Sequence, residues 1–376
     1  MHKGKVLVGM SGGVDSSTAA AILRDEGYDV YGATLKLWDP PDDEKVYGRT
    51  CCSLEDVEDA RNSAFKLGIP FYVLNMKDLF KEKVVDYFVN AYFKGDTPNP
   101  CMACNRHIKF TAMLNKALML EMDYIATGHY ARIAYDEASG RTLLKKAVDH
   151  TKDQSYVLYM LTQEQLKRLL LPLGSYKKSQ VREIAQEKGL INYNKPDSQD
   201  ICFVQGGSYS DFIKDYTGCQ VPEGEFLDTS GKSLGKNKGM INYTIGQRKG
   251  LGISASQRLY VVDKIPEKNQ VILGSREESY VKRFTAGDMN YIAFEKPYER
   301  KVWAKTRYTQ AETEAVLYPL EDGRAMIEYL EPQPFVAPGQ SVVLYEGDVV
   351  LGGGIISQRT KDWLSGLISF PLDVYL

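Results

Sequence analysis

The chain has 376 residues, enough for two or three domains that each bury a core. Hydrophobic residues make up 43% and charged residues 26%, the balance of a globular protein in water, and no apolar run approaches the roughly 18 residues of a membrane span. A formal net charge of -2 excludes a globally basic nucleic-acid binder, so any nucleic-acid partner has to be met by local patches.

Met1-His2-Lys3-Gly4 leads straight into the first apolar run, which leaves no room for a signal peptide and predicts a cytoplasmic protein. In that compartment the cysteines, at 51, 52, 101, 104, 202 and 219, are reduced. They are then core fillers, metal ligands or reactive thiols. The four histidines, at 2, 107, 129 and 150, are too scattered for a histidine-rich metal site.

The first element is the most informative. Val6-Leu7-Val8-Gly9-Met10-Ser11-Gly12-Gly13-Val14-Asp15-Ser16-Ser17 reads as a buried strand, a glycine loop and the opening of a helix that continues through Ala19-Ala20-Ala21-Ile22-Leu23. Gly12 and Gly13 are free to take positive φ and to let backbone approach a ligand. Loop amides and a helix N-terminus then converge on one anion. A Walker loop would end in Gly-Lys-Ser/Thr and a dinucleotide fingerprint would read Gly-x-Gly-x-x-Gly; neither is present.

Gly27 ends the first helix and a second strand over 28–35 completes a βαβ unit. A polar loop over 39–50, a helix over 54–67, a strand over 71–74 and helices over 80–93 and 109–120 follow, then the strand Tyr124-Ile125-Ala126-Thr127-Gly128-His129. This alternation predicts an α/β fold with a doubly wound parallel sheet that binds ligands at the carboxyl ends of its strands. Gly9, Leu35 and Gly128 fall on that rim, with His129 beside them. A hairpin over 131–145 turning at Ser139-Gly140, the polar turn Lys152-Asp153-Gln154-Ser155, and helices over 163–170 and 179–188 come next. From about Gly206 glycine and lysine become frequent, and from Phe284 onward short alternating runs separated by turn residues predict antiparallel strands of a small barrel. The expected domains are 1–205, a small central domain at 206–283, and a C-terminal antiparallel β-barrel at 284–376.

Two cysteine-bearing stretches stand out. In Thr97-Pro98-Asn99-Pro100-Cys101-Met102-Ala103-Cys104-Asn105-Arg106 the prolines fix an extended loop, and a helix beginning near Lys109 puts Cys104 at its N-terminus. There the dipole, Arg106 and Lys109 would favour a thiolate. In Asp197-Ser198-Gln199-Asp200-Ile201-Cys202-Phe203-Val204 the aspartates disfavour one, so local sequence does not predict a reactive Cys202. Three roles stay open: small buried hydrophobes, which suits Cys51, Cys52 and Cys219; ligation of a zinc or iron-sulfur centre by Cys101, Cys104 and Cys202; or a redox pair of Cys104 and Cys202 across a nucleotide site.

Ser11-Gly12-Gly13-Val14-Asp15-Ser16 resembles the pyrophosphate loop of the PP-loop ATP pyrophosphatases, which split ATP between the α and β phosphates and leave AMP on a substrate oxygen. Further motifs follow in order: Asn99-Pro100-x-x-x-Cys104-Asn105 with Ile108-Lys109-Phe110, Thr127-Gly128-His129-Tyr130-Ala131, Lys152-Asp153-Gln154-Ser155, Asp197-Ser198-Gln199-Asp200-Ile201-Cys202-Phe203, and Thr244-Ile245-Gly246-Gln247-Arg248-Lys249-Gly250-Leu251-Gly252. Together they look like the bacterial tRNA-specific 2-thiouridylase family over essentially the whole chain.

That resemblance implies replacement of the C2 oxygen of the wobble uridine in a tRNA anticodon loop by sulfur, with ATP and Mg²⁺. It implies Gly9, Met10, Ser11, Gly12, Gly13, Val14, Asp15, Ser16, Leu35 and Gly128 around ATP, with Asp15 helping to place Mg²⁺. Cys202 would carry a persulfide supplied by a cysteine desulfurase or sulfur-relay protein, and Cys104 would release its sulfur, leaving a Cys104-Cys202 disulfide. Asn99, Pro100, Cys101, His129, Lys152, Asp153, Gln154, Arg307, Tyr308 and Gln340 would meet tRNA. Lys232, Lys236, Lys238, Arg248 and Lys249 add an acid-free stripe suited to phosphates. Cys101 departs from the family, where a non-cysteine, often Asp, is common; this leaves it an accessory metal or decoy-disulfide role. The competing classes are an amidating synthetase of the same superfamily, which needs an ammonia source and no thiols, an iron-sulfur tRNA thiolase, and a non-enzymatic tRNA-binding module.

Overall fold

The computed structural model describes residues 3–38, 54–195, 201–204 and 208–359. The expected loop at 39–50, Cys51 and Cys52, and residues 197–200 of the Cys202 stretch lie outside them.

The centre of the first half is β1 (Lys5–Gly9), whose Val6, Leu7 and Val8 have no exposed surface. An apolar run without alternation suits a strand covered on both faces. Around it stand β2 (Asp29–Lys36), β3 (Phe71–Asn75), β4 (Tyr124–Ala126) and β7 (Leu169–Leu170), in the order β3-β2-β1-β4-β7, every pairing parallel. Val6 and Val8 pack on α1 (Val14–Asp25) and α2 (Leu54–Leu67) through Ala20, Ala21, Leu23, Ala60 and Ala64. Leu7 faces the opposite layer, where Phe80, Phe88, Ile108, Phe110 and Met113 form the core. This two-sided cover is the doubly wound architecture that the alternation predicts.

Three local expectations need correction. The helix expected to begin at Phe80 starts with Lys77–Phe80 and runs on through Lys81–Asp86 and Tyr87–Phe93; together these form α3. The helix expected over 109–120 is α4, which opens with Pro100–Ala103, widens to π geometry over Cys104–Ala112 and closes with Met113–Met119. Proline is tolerated at a first helical position because its missing N–H would be unbonded there anyway. The helix expected over 163–170 stops at Gln163–Lys167 (α5), and the next two leucines become the edge strand β7 beside β4.

The hairpin β5 (Ala131–Asp136) and β6 (Arg141–Lys146) is followed later by α6 (Lys178–Glu187) and α7 (Tyr209–Thr217). A central sheet of β8 (Gly224–Asp228), β9 (Ser233–Asn237), β10 (Tyr260–Ile265) and β11 (Gln270–Gly274) takes the order β10-β11-β8-β9. The last part is an antiparallel barrel, as expected. It comprises β12 (Tyr280–Tyr291), β13 (Arg300–Lys305), β14 (Thr313–Pro319), β15 (Ala325–Pro334), β16 (Ser341–Glu346) and β17 (Val349–Arg359), closed by the β12–β17 pairing. Closure removes sheet edges, except that β17 also pairs with β6 at Val349 and Lys145. Among the described residues no helix is long and apolar enough to cross a membrane.

Candidate active site

A cleft of about 820 Å³, counting its open mouth, lies at the carboxyl ends of β1, β2 and β4. Gly9, Met10 and Ser11 line it from the end of β1 and the loop that follows, and Asp15 and Ser16 from the opening of α1. Thr34 and Leu35 come from β2, Lys109 and Met113 from α4, and Thr127, Gly128 and His129 from beyond β4; Gln154 completes the wall. Of the residues expected around a nucleotide, Gly12, Gly13 and Val14 form the turn behind this lining.

The turn is held from within. The Ser11 N–H donates to Ser16 Oγ at 3.1 Å, while Ser16 Oγ and Ser17 Oγ each donate to the Gly13 carbonyl at 3.2 Å. Buried Asn192 donates to the Gly12 carbonyl and to Ser17 Oγ, both at 3.0 Å. Gly12 has φ +74°, and a Cβ there would lie 2.4 Å from the Asp56 carbonyl oxygen, so packing on α2 demands glycine. Gly13 does not take the expected positive φ. It is the N-cap of α1 at φ -85°, and a Cβ there would meet only Ser11 Oγ at 3.6 Å. Without a capping side chain, the first amides of α1 are left for an anion. Gly128 lines the cleft and is also required by packing: a Cβ there would sit 2.7 Å from the Ser16 nitrogen and 2.8 Å from the Asp15 carbonyl carbon.

Asp15 is tightly held. Lys178 Nζ, at the first position of α6, donates to both carboxylate oxygens at 2.8 Å, and the Tyr130 hydroxyl donates to Oδ1 at 2.7 Å. Sequence reasoning missed Lys178 and Asn192, which lie 163 and 180 residues from their partners, Asp15 and Gly12, and carry no local motif. His129 is half-buried, with Nδ1 2.8 Å from Thr127 Oγ1. Burial, with Lys109 adding to it, holds its pKa well below the ordinary histidine value, so the ring is neutral at pH 7.

Cys104 is 8% exposed and lies one turn inside α4, not at its N-terminus. Its N–H is spent on the Pro100 and Cys101 carbonyls, and the start of the helix is capped by Asn99 Oδ1, which accepts from the Cys101 N–H at 3.1 Å and the Met102 N–H at 3.3 Å. Arg106, expected to favour a thiolate, pairs with Asp288 of β12. Cys202 is half-buried and packs, with Ile201 and Val204, on the apolar cluster that contains Cys104. Phe203 anchors this segment edge-on against Phe80 and Phe88, with centroids 5.8 and 5.3 Å away. Leu35, Leu37 and Met113 belong to the same cluster and line the cleft. Cys101 and Cys219 are exposed, so Cys219 is not a core filler. Among the described residues no three His, Cys, Asp or Glu side chains form a group that holds a metal ion.

The residues expected to meet tRNA divide into two sets. Gln154 lines the cleft and accepts the Tyr130 N–H at 2.9 Å. Asp153 organises its own turn, accepting from the Ala147 N–H at 2.8 Å and from Ser155 Oγ at 2.7 Å, beside half-buried Lys152. Exposed Tyr308 reaches over this turn and donates to the Asp153 carbonyl at 3.1 Å. Arg307 and Gln340 turn inward. Arg307 Nη2 donates to the Ile245 and Phe335 carbonyls at 2.8 and 2.9 Å, and Gln340 Nε2 donates to the Thr97 carbonyl at 2.6 Å. Lys232, Lys236, Lys238, Arg248 and Lys249 are all exposed.

A glycine-built anion loop at the carboxyl edge of a parallel sheet, followed by a small sheet and a closed barrel, defines a PP-loop type of α/β protein with two appended β modules. The model of the tRNA methyl transferase HUP domain matches residues 4–206, that of the tRNA methyl transferase PRC-barrel domain 210–275, and that of the aminomethyltransferase beta-barrel domain 281–356. The tRNA-specific 2-thiouridylase MnmA of Acetivibrio thermocellus is 55% identical over 358 residues, which cover 95% of this chain and 100% of that one. The protein of the same name from Clostridioides difficile is 51% identical, covering 94% and 98%. The chain belongs to the tRNA-specific 2-thiouridylase MnmA family. A crystal structure of a 4-thiouridine synthetase–RNA complex with bound ATP is 19% identical with a TM-score of 0.34, covering 53% of this chain and 45% of that one, too distant to bear on function.

Proposed function

We propose that the chain is a tRNA-uridine 2-sulfurtransferase, which adenylates the C2 oxygen of the wobble uridine with ATP and replaces it by sulfur, giving 2-thiouridine, AMP and pyrophosphate. The observation that carries this reading is the shared floor: the apolar cluster containing Cys104, with Cys202 packed against it, also supplies Leu35, Leu37 and Met113 to the wall of the anion-loop cleft. The uncapped start of α1 suits a pyrophosphate.

A urea-like carbonyl oxygen is a poor leaving group, and AMP attached to it is a good one. The C2 oxygen attacks the α phosphorus of ATP, and pyrophosphate departs onto the amides at the start of α1 and the Ser11 and Ser16 hydroxyls. Magnesium usually keeps several waters and binds through one or two carboxylates plus substrate phosphates. Both Asp15 oxygens accept from Lys178 Nζ, so this carboxylate would hold the ion only by giving up part of that pairing, and the ion would supply further charge neutralisation on the phosphates. The terminal sulfur of a Cys202 persulfide attacks C2 and AMP leaves. Cys104 thiolate then attacks the Cys202 sulfur, which frees the thiocarbonyl and leaves a Cys104-Cys202 disulfide for a cellular reductant. Release of hydrosulfide before attack on C2 is the other order of the same steps.

In this reading residues 1–205 carry the chemistry in the cytoplasm, while 206–283 and 284–376 hold the tRNA. An anticodon-loop base is already unpaired and is cheap to flip into the cleft past His129, Gln154 and the Asn99-Pro100-Cys101 segment. Lys152, Asp153 and Tyr308 form the rim. The test is sulfur incorporation into unmodified tRNA with ATP, Mg²⁺ and a persulfide donor. Cys202→Ser is expected to abolish thiolation while tRNA-dependent pyrophosphate release continues, and Cys104→Ser to block turnover. Normal thiolation by both variants would overturn the two-cysteine mechanism.

A further inference from the structure

The segment that carries Cys104 is gripped by the barrel on both sides. On its N-terminal side, the Thr97 N–H donates to the Pro338 carbonyl at 2.9 Å, and Gln340 Nε2 donates back to the Thr97 carbonyl at 2.6 Å. Between these two bonds, a Cβ on Gly339, at φ +83°, would lie 2.8 Å from Asp96 Cβ and 2.9 Å from the Thr97 nitrogen, so the two backbones are in direct contact. Ser341 Oγ lies 2.9 Å from Met102 Sδ, and that serine is itself held by the Tyr156 and Tyr159 hydroxyls at 2.8 and 3.1 Å. On the C-terminal side of Cys104, Arg106 pairs with Asp288 of β12. The Gln340 amide thus donates within the protein at a position where the family resemblance implies a tRNA contact.

We infer that Gln340 is a positioning residue for Cys104. Its amide fixes the Thr97 peptide, which fixes Asn99, whose side chain caps α4 and so sets where Cys104 points. Asp288 does the same from the far side through Arg106. The barrel is therefore part of the thiol machinery and not only a tRNA platform. This inference rests on the proposed function only for the use made of Cys104; the geometry it asserts is independent of that use.

The test uses the full-length protein with Gln340→Leu, which keeps the volume and removes the donor, and with Asp288→Asn. The pH profile of iodoacetamide alkylation at Cys104, read by peptide mass mapping, is measured beside tRNA affinity and the kcat and KM of thiolation. The expected result is Cys104 alkylation at least about five-fold faster at pH 8 in both variants, since the thiol is buried only while its segment is clamped. Thiolation kcat is expected to fall roughly ten-fold, with tRNA affinity and KM within about two-fold of wild type. Weakened tRNA binding with an unchanged alkylation profile would overturn the inference and make Gln340 a tRNA contact. Unchanged values throughout would overturn it as well. If the wild type fails to thiolate tRNA at all, the functional reading falls while the alkylation result still decides the clamp.

Discussion

Asp15 shows how a residue legible as functional depends on others that are not. Its place after two glycines marks it in the sequence, but the cation that holds both its oxygens, Lys178, arrives from the start of another helix. Lys178 is 12% exposed and Asp15 29%, so the pair is partly shielded from water. Removing the ammonium leaves a carboxylate facing incoming phosphates. Lys178→Met is therefore expected to raise the KM for ATP by roughly ten-fold or more while the fold persists, as charge-assisted bonds are worth about 1.5–3 kcal/mol; ATP titration of pyrophosphate release measures it. His129 offers a pH test with a definite sign. Its folded pKa is depressed, so the unfolded chain takes up the proton first. Its cost to stability is absent above about pH 6.5 and grows as pH falls below that value. His129→Asn should flatten the loss of thermal stability on acidification below about pH 6.5, and a variant whose melting temperature tracks the wild type across that range would count against the neutral ring.

At the scale of elements, the strands and helices with long regular patterns were legible, and those decided by a partner were not. Val6 to Val8 announce a central strand by being apolar throughout, and α2 was readable over its full length. The start of α4 was misread because Pro98 and Pro100 look like breakers. The capping geometry of Asn99, with Pro100 at the first position, turns the second proline into a helix opener. Asn99→Ala should cost about 1 kcal/mol of stability, read from denaturant midpoints, and should speed Cys104 alkylation as the clamp variants do. The two residues of β7 carry no period at all and are a strand only because β4 offers an edge. Gly128 was legible as special, and packing on the start of α1 is a cause the sequence did not show. Since its Cβ would fall 2.7 Å from the Ser16 nitrogen, Gly128→Ala is expected to push the start of α1 away and weaken ATP binding by roughly ten-fold or more without unfolding the barrel. Isothermal titration with a non-hydrolysable ATP analogue would show intact affinity if that argument fails.

Across the whole molecule, the barrel strands beyond Phe284 were legible in the sequence as short alternating runs, but the way they lock onto the rest was not, because the seam is built from side chains with no local signature. Tyr92 and Asp96 at the end of the α3 region, Asp263 and Lys264 of β10, and Arg359 of β17 meet there. Lys264 is 6% exposed, and its Nζ has no hydrogen-bond partner among the described residues and stands 5.8 Å from the centre of the Tyr92 ring. Asp263 is committed to Arg359, which also donates to the Val336 carbonyl at 2.9 Å. Burial pushes the Lys264 pKa down to about 8 despite the attraction of Asp96 and Asp263, while burial raises that of Asp96. An ammonium so placed is a cost that apolar packing would relieve, since replacing buried charge by hydrophobic volume is often stabilising by about 1–4 kcal/mol. The unfolded lysine holds its proton up to about pH 10.4, whereas the folded one begins to lose it near 8. Wild-type stability therefore gains from this group as pH rises through that window, and below about pH 8 the penalty is constant. Lys264→Met should melt higher than wild type at pH 7, with the advantage shrinking between about pH 8 and 10. A variant that melts lower at pH 7 would mean that Asp96 and Asp263 depend on the ammonium, and that the seam is a satisfied ionic cluster instead of a strained one.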